Sequence, residues 1–178
     1  GGLKPGDEIV MTKWAGLEGT SIIAAEKEEK LLETLPRELV DVAKGFKEYL
    51  SVIPESKIAM EVGVSAMHDV TEGGVFGALW ELGEASGVGI TAHLDKIPIK
   101  QETIEVCEVF KINPYMLISS GSMMIGCEKG NLLVEKLEEA GINAAVIGRA
   151  TEGNDRIVVS RDETRYIGPA GSDELYKI

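Results

Sequence analysis

Three glycines lie where the sequence predicts that a strand passes into a helix. The apolar residues 64–67 lead into the segment 68–77, which contains Gly73, Gly74 and Gly77, and a helical pattern follows it. Each glycine in the first turns of a helix costs roughly 1 kcal/mol relative to alanine, so about 3 kcal/mol of helix propensity is lost here. Glycine is favoured where another backbone or a ligand must approach the main chain. The segment therefore predicts either a close backbone contact or a ligand site.

The residues around these glycines supply candidate chemistry. Asp69, with Glu72 three residues later, has the spacing of a capping box, which predicts Asp69 as the N-cap of the helix. The main-chain N–H groups from Thr71 to Gly74 would then point from the positive end of the helix towards an anion. His68 and Asp69 are the candidate catalytic residues for acid–base chemistry, and the alternative for His68 is a structural histidine.

A second small, polar loop precedes another predicted strand. It consists of Ser119, Ser120, Gly121 and Ser122, directly before the apolar segment 123–127. Such a loop is a candidate partner for the first one in holding a ligand, and its alternative is an ordinary turn. The motifs of P-loop and dinucleotide-binding proteins are absent, and two histidines do not build a His-rich metal site, so no metal-ligating residue is predicted.

The net charge and the two cysteines of the chain exclude some classes of function. A net charge of −12 over 178 residues, without a basic patch, argues against binding to nucleic acid or to an anionic membrane. An anionic substrate would need Mg²⁺ or main-chain N–H groups to offset this field. Cys107 and Cys127 both lie in apolar segments and are predicted to be reduced core thiols, as in a cytoplasmic protein.

Apolar periodicity divides the chain into strands and helices. The predicted strands are residues 8–13, 64–68, 88–94, 123–127, 143–148 and 156–160, and the predicted helices are 17–35, one opening at Pro36, one from Pro54 to Gly63, 71–86, 101–110 and 131–140. The turn at 152–155 predicts that the last two strands form a hairpin. A final helical turn is predicted at 173–176. The sum is a mixed α/β fold with roughly five or six strands and about six helices.

Residues 69–74, Asp-Val-Thr-Glu-Gly-Gly, resemble the Asp-x-Thr-x-Gly-Gly signature in the C-terminal domain of the aminoimidazole ribonucleotide (AIR) synthase superfamily. Residues 113–123 resemble the second signature of that domain, and residues 145–153 resemble its closing strand and turn. Residues 3–10 and 16–20 are similar to the linker strand and the following helix start of HypE-like members, which are hydrogenase maturation factors. The resemblance covers nearly the whole chain.

This resemblance implies an α+β fold in α-β-α layers, with a mixed sheet flanked by helices. It implies that residues 1–178 form a single C-terminal domain, of which residues 1–13 are the linker strand from a missing N-terminal ATP-binding domain. The start at Gly1-Gly2, without methionine, agrees with that expectation. In full-length members the N-terminal halves form a dimer and supply acidic Mg²⁺ ligands, and ATP lies between the halves. We therefore expect ATP and Mg²⁺ as cofactors of the full-length protein, and neither tight binding nor activity in this chain alone.

The resemblance also assigns site residues and partners. The phosphate or substrate side of the inter-domain cleft is expected from matched or neighbouring positions: Thr71, Glu72, Gly73, Gly74, Ser119, Ser120, Gly121 and Ser122. The shared chemistry is ATP-dependent phosphorylation of a substrate oxygen, as in ligases and dehydratases.

Expected partners are the N-terminal domain, a small-molecule or protein-tail substrate and a second copy in a homodimer. HypE proper ends in a cysteine that receives a carbamoyl group, whereas this chain ends in residues 174–178 without one, so its reaction stays open. The alternative is a non-catalytic binding or scaffold module that kept the fold.

Overall fold

The computed structural model describes all 178 residues as one seven-stranded sheet with seven α-helices. The strands are β1 (Glu8–Thr12), β2 (Ala66–Asp69), β3 (Gly89–His93), β4 (Met123–Cys127), β5 (Ala144–Thr151), β6 (Arg156–Ser160) and β7 (Glu163–Tyr166). The helices are α1 (Leu17–Glu26), α2 (Glu28–Leu32), α3 (Arg37–Gly45), α4 (Ile53–Val62), α5 (Gly74–Ser86), α6 (Gln101–Phe110) and α7 (Gly130–Glu139). Short 3₁₀ turns include Phe46–Tyr49, Pro114–Met116 and Glu174–Lys177, and the last of these lies where a helical turn is predicted.

The sheet is mixed in direction. Its strand order is β2-β4-β1-β5-β3-β6-β7, and every neighbouring pair is antiparallel except β3 and β6, which are parallel. The segment predicted as a linker strand, β1, lies in the middle of the sheet between β4 and β5. Edge strand β2 leads directly into the glycine-rich start of α5, so this junction lies at one edge of the sheet.

Helices cover both faces of the sheet because successive side chains of a strand point to opposite faces. Ile9 and Met11 of β1 belong to one buried cluster with Leu79 of α5. Val10, between them, belongs to another cluster with Leu133 of α7. A third cluster joins α1, α3 and α6 without the sheet. The prediction of an α+β fold with a mixed sheet flanked by helices is confirmed.

The predicted hairpin between β5 and β6 is wrong. Strand β3 lies between them, antiparallel to β5 and parallel to β6. The turn that follows β5 instead folds around the start of β3, where the N–H of Ile90 donates to the carbonyl of Asp155 at 2.8 Å. A Cβ on Gly89 would lie 2.8 Å from that same carbonyl oxygen, so glycine permits the approach. The turn residues predict a chain reversal, but they do not identify the strand that pairs.

Further differences from the prediction include an interrupted helix and an additional strand. The helix predicted over residues 17–35 is interrupted at Lys27, whose φ of −115° separates α1 from α2. Strand β7 was not predicted because all four of its residues are exposed and show no apolar alternation. No helix has the length and apolar character needed to cross a membrane.

Candidate functional site

The start of α5 differs from the predicted capping box. Asp69 is the last residue of β2, and it is exposed and makes no side-chain cap to the helix. The N-cap is Gly73, with φ of +86°, and Gly74 follows at +65°. Two successive left-handed residues turn the chain sharply, which only glycine does without strain. The prediction of Asp69 as N-cap is therefore wrong, because the turn runs four residues beyond it.

A residue from the far end of the chain caps the helix instead. Asp173, which is 1% exposed, accepts hydrogen bonds from the main-chain N–H groups of Gly73 at 2.7 Å and Ile118 at 3.2 Å. Its carboxylate also accepts from the N–H of Leu175 at 2.9 Å. The first predicted ligand loop and the residue directly before the second one thus meet at one carboxylate. Asp173 was missed in the sequence because an aspartate before a helical turn indicates a local cap and carries no signal for a distant one.

The glycines of α5 are explained in part by close packing. A Cβ on Gly74 would lie 2.7 Å from the carbonyl oxygens of both Tyr115 and Leu117. A Cβ on Gly73 or Gly77 would meet the methyl group of Ala170, at 3.0 and 3.3 Å. Of the two explanations left open by the sequence, close backbone contact is the one that the structure shows at Gly74.

The rest of the first loop stays accessible. Thr71 and Glu72 are exposed, and no side-chain hydrogen bond holds Thr71. The neighbouring Glu72 carboxylate raises the pKa of the Tyr176 phenol. The Thr71 side chain is therefore free to contact a ligand, whereas Glu72 lies beside Tyr176 near the end of the chain.

The second loop has mainly structural contacts. Ser119 is buried, and its hydroxyl accepts from the N–H of Gly16 at 2.6 Å and donates to the carbonyl of Leu117 at 2.8 Å. The hydroxyl of buried Ser122 donates to the carbonyl of Trp14 at 2.8 Å. Gly121 has φ of +101° and packs against the backbone around residues 49–50. Ser120 is half-buried and its hydroxyl makes no hydrogen bond within the chain, so it is the serine available to a ligand.

The two loops lie at the same end of paired strands. Asp69 lies opposite Met123 in the antiparallel pair of β2 and β4, and the N–H of Val70 donates to the carbonyl of Ser122 at 3.1 Å. His68 does not point at this junction as a free base, since its Nε2 lies 2.9 Å from a carboxylate oxygen of Glu81 on α5. Its Nδ1 contacts the carbonyl of Asp69. These contacts agree with the alternative reading of His68 as a structural histidine.

A cleft opens beside the start of α5. It has a volume of about 280 Å³, and its walls are the first turns of α5, residues around Asn113 and the segment 165–171. A neighbouring cleft of about 220 Å³ shares Phe76, Asn113 and Arg165 with it. The ring of Phe76 stacks on Tyr115 at 5.6 Å, and burial raises the pKa of the Tyr115 phenol. Phe76 is half-buried and lines the cleft. No three His, Cys, Asp or Glu side chains come together in a group that could hold a metal ion.

Comparisons with known proteins agree with this architecture. Residues 4–160 match the model of the family described as AIR synthase related protein, C-terminal domain. A hydrogenase expression/formation protein of Methanocaldococcus jannaschii is 30% identical over 166 residues, which are 88% of this chain and 46% of that protein. The carbamoyl dehydratase HypE of Rhodobacter capsulatus is 23% identical over 84% of this chain and 43% of its own length.

Solved structures show the same fold. The crystal structure of Escherichia coli HypE has a TM-score of 0.80 at 23% identity, over 98% of this chain and 53% of that one. A crystal structure of the hydrogenase maturation protein HypE in complex with ATP has a TM-score of 0.74 at 16% identity, over 97% of this chain and 53% of that one. The chain spans about half the length of the relatives it matches. By its matched family model, its mixed sheet and its glycine-rich helix start, the chain belongs to the AIR synthase-related family and corresponds to the C-terminal domain.

Proposed function

We propose that this chain supplies the phosphate or substrate side of an ATP-dependent site that is completed by an N-terminal domain. One observation carries the proposal: the N–H groups of Gly73 and Ile118, from the two signature loops, converge on a single carboxylate. Convergent main-chain donors at a helix start are the arrangement that binds oxyanions elsewhere. In a chain with a net charge of −12, such donors are the means of holding a phosphate without a basic side chain.

The relatives support ATP as the cofactor of the complete protein. One HypE structure contains ATP, and the fold of this chain matches about half of it. Mg²⁺ would neutralise the phosphates and align them for transfer to a substrate oxygen. Because no group of acidic side chains in this chain fits a metal ion, the Mg²⁺ ligands would come from outside it. We propose that this chain alone neither binds ATP tightly nor turns it over.

Within the proposed site, each accessible residue has a distinct role. The hydroxyls of Thr71 and Ser120 would donate to phosphate or substrate oxygens, and the N–H groups at the start of α5 would balance the negative charge. Asp69 is exposed beside them at the end of β2 and would accept the proton of the reacting group. His68 is held by Glu81, so it would act by positioning the end of β2.

Titration of Mg·ATP by calorimetry, into this chain and into the full-length natural protein, tests the divided site. We expect binding and turnover only in the full-length protein. Ser120→Ala there should leave the unfolding transition unchanged and reduce turnover, whereas Ser119→Ala should lower stability because it removes two buried hydrogen bonds. Tight binding and turnover by this chain alone would contradict the proposal.

The second candidate is a binding or scaffold module that kept the fold without catalysis. Two observations favour it: the hydroxyls of Ser119 and Ser122 are already bonded within the chain, and His68 is paired with Glu81. In that case Ser120→Ala and Asp69→Asn would change neither nucleotide binding nor turnover in the full-length protein. A loss of turnover in both variants at unchanged stability would exclude this candidate.

A further inference from the structure

The end of the chain forms a strap, residues 167–178, across the start of α5. The methyl group of Ala170 packs over Gly73 and Gly77, where a Cβ would lie within 3.3 Å of it. Asp173 and the following 3₁₀ turn then contact the loop at residues 113–118. The strap therefore covers the same main-chain groups that the proposed function assigns to a phosphate.

The Asp173 carboxylate is held there as a bound oxyanion would be. It is 1% exposed, and its hydrogen-bond donors are three main-chain N–H groups, of Gly73, Ile118 and Leu175. No lysine, arginine or histidine lies within ion-pair distance of it. Its charge is thus balanced by peptide dipoles at the positive end of a 13-residue helix.

Hydrogen bonds hold the strap at its start and towards its end, but not over residues 168–172. At its start, the N–H of Ile167 donates to the carbonyl of Arg156 at 2.8 Å. At its end, Glu174 accepts from the N–H of Asn113 at 3.1 Å, and the side chains of Leu175 and Ile178 pack against the helical cluster of α1, α3 and α6. Residues 168–172, which include two glycines, are exposed and make no hydrogen bond. Release of the distal end would therefore lift Asp173 without disturbing the sheet.

A cleft of about 280 Å³ lies beside the covered groups and reaches Gly73, but neither Ile118 nor Asp173 lines it. Its walls are α5 on one side and residues 167–171 of the strap on the other. The N–H of Gly73 already donates to Asp173, so a phosphate in this cleft gains that donor only when the carboxylate leaves, because one N–H cannot serve two anions and their charges repel.

We propose that the strap regulates the site by competition: Asp173 occupies the anion position in the resting chain, and a phosphate group of the ligand takes that position when the strap lifts. This inference rests on the proposed function, since it takes the start of α5 as the place where phosphate binds. An anion that binds weakly then cannot displace Asp173. A ligand that makes further contacts can, because those contacts offset the free energy of lifting the strap.

The test follows the main-chain amide signals of Gly73 and Ile118 by NMR while sodium pyrophosphate is added to the 178-residue chain. Asp173→Ala empties the anion position, and the double variant Leu175→Ala/Ile178→Ala loosens the strap without altering the carboxylate. Asp162→Ala, at an exposed aspartate between β6 and β7, is the matched control. We expect both strap variants to bind pyrophosphate about tenfold more tightly than the wild type and the control, which is the effect of removing one charged competitor.

The outcomes separate the two proposals. Equal binding at these amides in the wild type and both variants would overturn the strap and leave phosphate binding at α5 intact. In a folded variant, the signals of Tyr176 can show that the strap has left. If the amides of Gly73 and Ile118 then do not respond to pyrophosphate, phosphate binding at α5 is overturned, and the strap proposal with it. Should Asp173→Ala fail to fold, the double variant gives the same decision, because it loosens the strap while the Asp173 carboxylate stays in the chain.

Discussion

The carboxylate of Asp173 accepts a 2.7 Å hydrogen bond from the main-chain N–H of Gly73, which lies 100 residues earlier in the chain. A helix in the middle of the sequence is thus capped by a side chain from its end. The same carboxylate bonds Ile118, so it also fixes the distance between the two signature loops. The geometry of the candidate site therefore depends on the C-terminal segment as well as on the signatures.

Replacement of Asp173 should lower the stability of the fold. In Asp173→Ala, the N–H groups of Gly73 and Ile118 lose their buried acceptor, so we expect the free energy of unfolding to fall by about 2 kcal/mol in urea titrations. The control Asp162→Ala, at an exposed residue without a hydrogen bond, should change it by less than about 0.5 kcal/mol. Equal effects of the two changes would show that the cap contributes nothing.

Gly74 and Gly87, at the two ends of α5, allow the cost of backbone strain to be measured separately from the cost of close packing. Gly74 and Gly87 both have φ of +65°, but a Cβ on Gly74 would lie 2.7 Å from two carbonyl oxygens, whereas nothing lies within 4 Å of a Cβ on Gly87. Gly87→Ala should cost about 1 kcal/mol for its left-handed backbone alone. Gly74→Ala should cost about 3 kcal/mol or more, because the backbone at residues 115–117 must move as well. Similar losses for both variants in urea unfolding would contradict the packing explanation.

The elements that sequence reasoning identified are those with a local signal. Helix α6 and strand β4 have their predicted bounds because apolar periodicity and flanking residues define them. The resemblance of residues 69–74 to a family signature also identified the fold, which periodicity alone does not specify. The strand that neighbours β6 and the residue that caps α5 were not predicted, because each depends on a partner that is distant in sequence. The turn before β6 bonds Ile90, and the start of α5 bonds Asp173.

The sequence predicted the two loops as partners, but it did not predict the contacts of their side chains. The loops containing Thr71 and Ser120 do lie at one end of paired strands. The sequence could not show that Ser119 and Ser122 are bonded within the chain, since a hydroxyl that binds a ligand and one that holds a turn look alike in a sequence. Nor could it show that the Asp173 carboxylate accepts hydrogen bonds from Gly73 and Ile118.

A buried ion pair fixes the end of β1 to the start of α4. Lys13 Nζ lies 2.6 Å from an oxygen of Glu55, which is fully buried, and donates to the carbonyls of Tyr49 and Ser51. Lys13 and Glu55 form an ion pair without a well-aligned hydrogen bond, since neither carboxylate oxygen of Glu55 has a hydrogen-bond partner. The lysine therefore provides the compensating charge for Glu55 in this part of the core.

Lys13→Met should be strongly destabilising because it leaves the Glu55 carboxylate buried without a partner. The expected loss is about 3 to 5 kcal/mol, and methionine at the positive φ of this position brings no strain that lysine lacks. The double variant Lys13→Met/Glu55→Leu should lose less than the single variant, since no buried charge remains. A double-mutant cycle in urea measures this, and additive losses would show that the two side chains do not interact.

The two cysteines should resist modification in the folded chain. Burial raises the pKa of the Cys107 thiol to about 12 and also raises that of Cys127. At pH 8 only about one Cys107 thiol in ten thousand would be ionised, and the thiolate is the reactive form. We expect reaction with a disulfide reagent to follow the unfolding transition, with both thiols reacting at once in urea. Rapid labelling of either cysteine in the native chain would contradict their burial.

The phenol of Tyr176 gives a direct measure of the strap. The Glu72 carboxylate beside it raises its pKa, because a carboxylate favours the neutral, donating phenol and repels the ionised form. The contact therefore contributes fully below the ordinary tyrosine pKa and is lost as the pH rises through the raised value. An NMR titration of the ring should show Tyr176 ionising late, and Glu72→Gln should return its pKa towards the ordinary range. The matched change Glu128→Gln, at an exposed glutamate on the segment after β4, should leave the titration of Tyr176 as it is in the wild type. If Glu72→Gln had no effect, the strap would not lie against the first signature loop in solution.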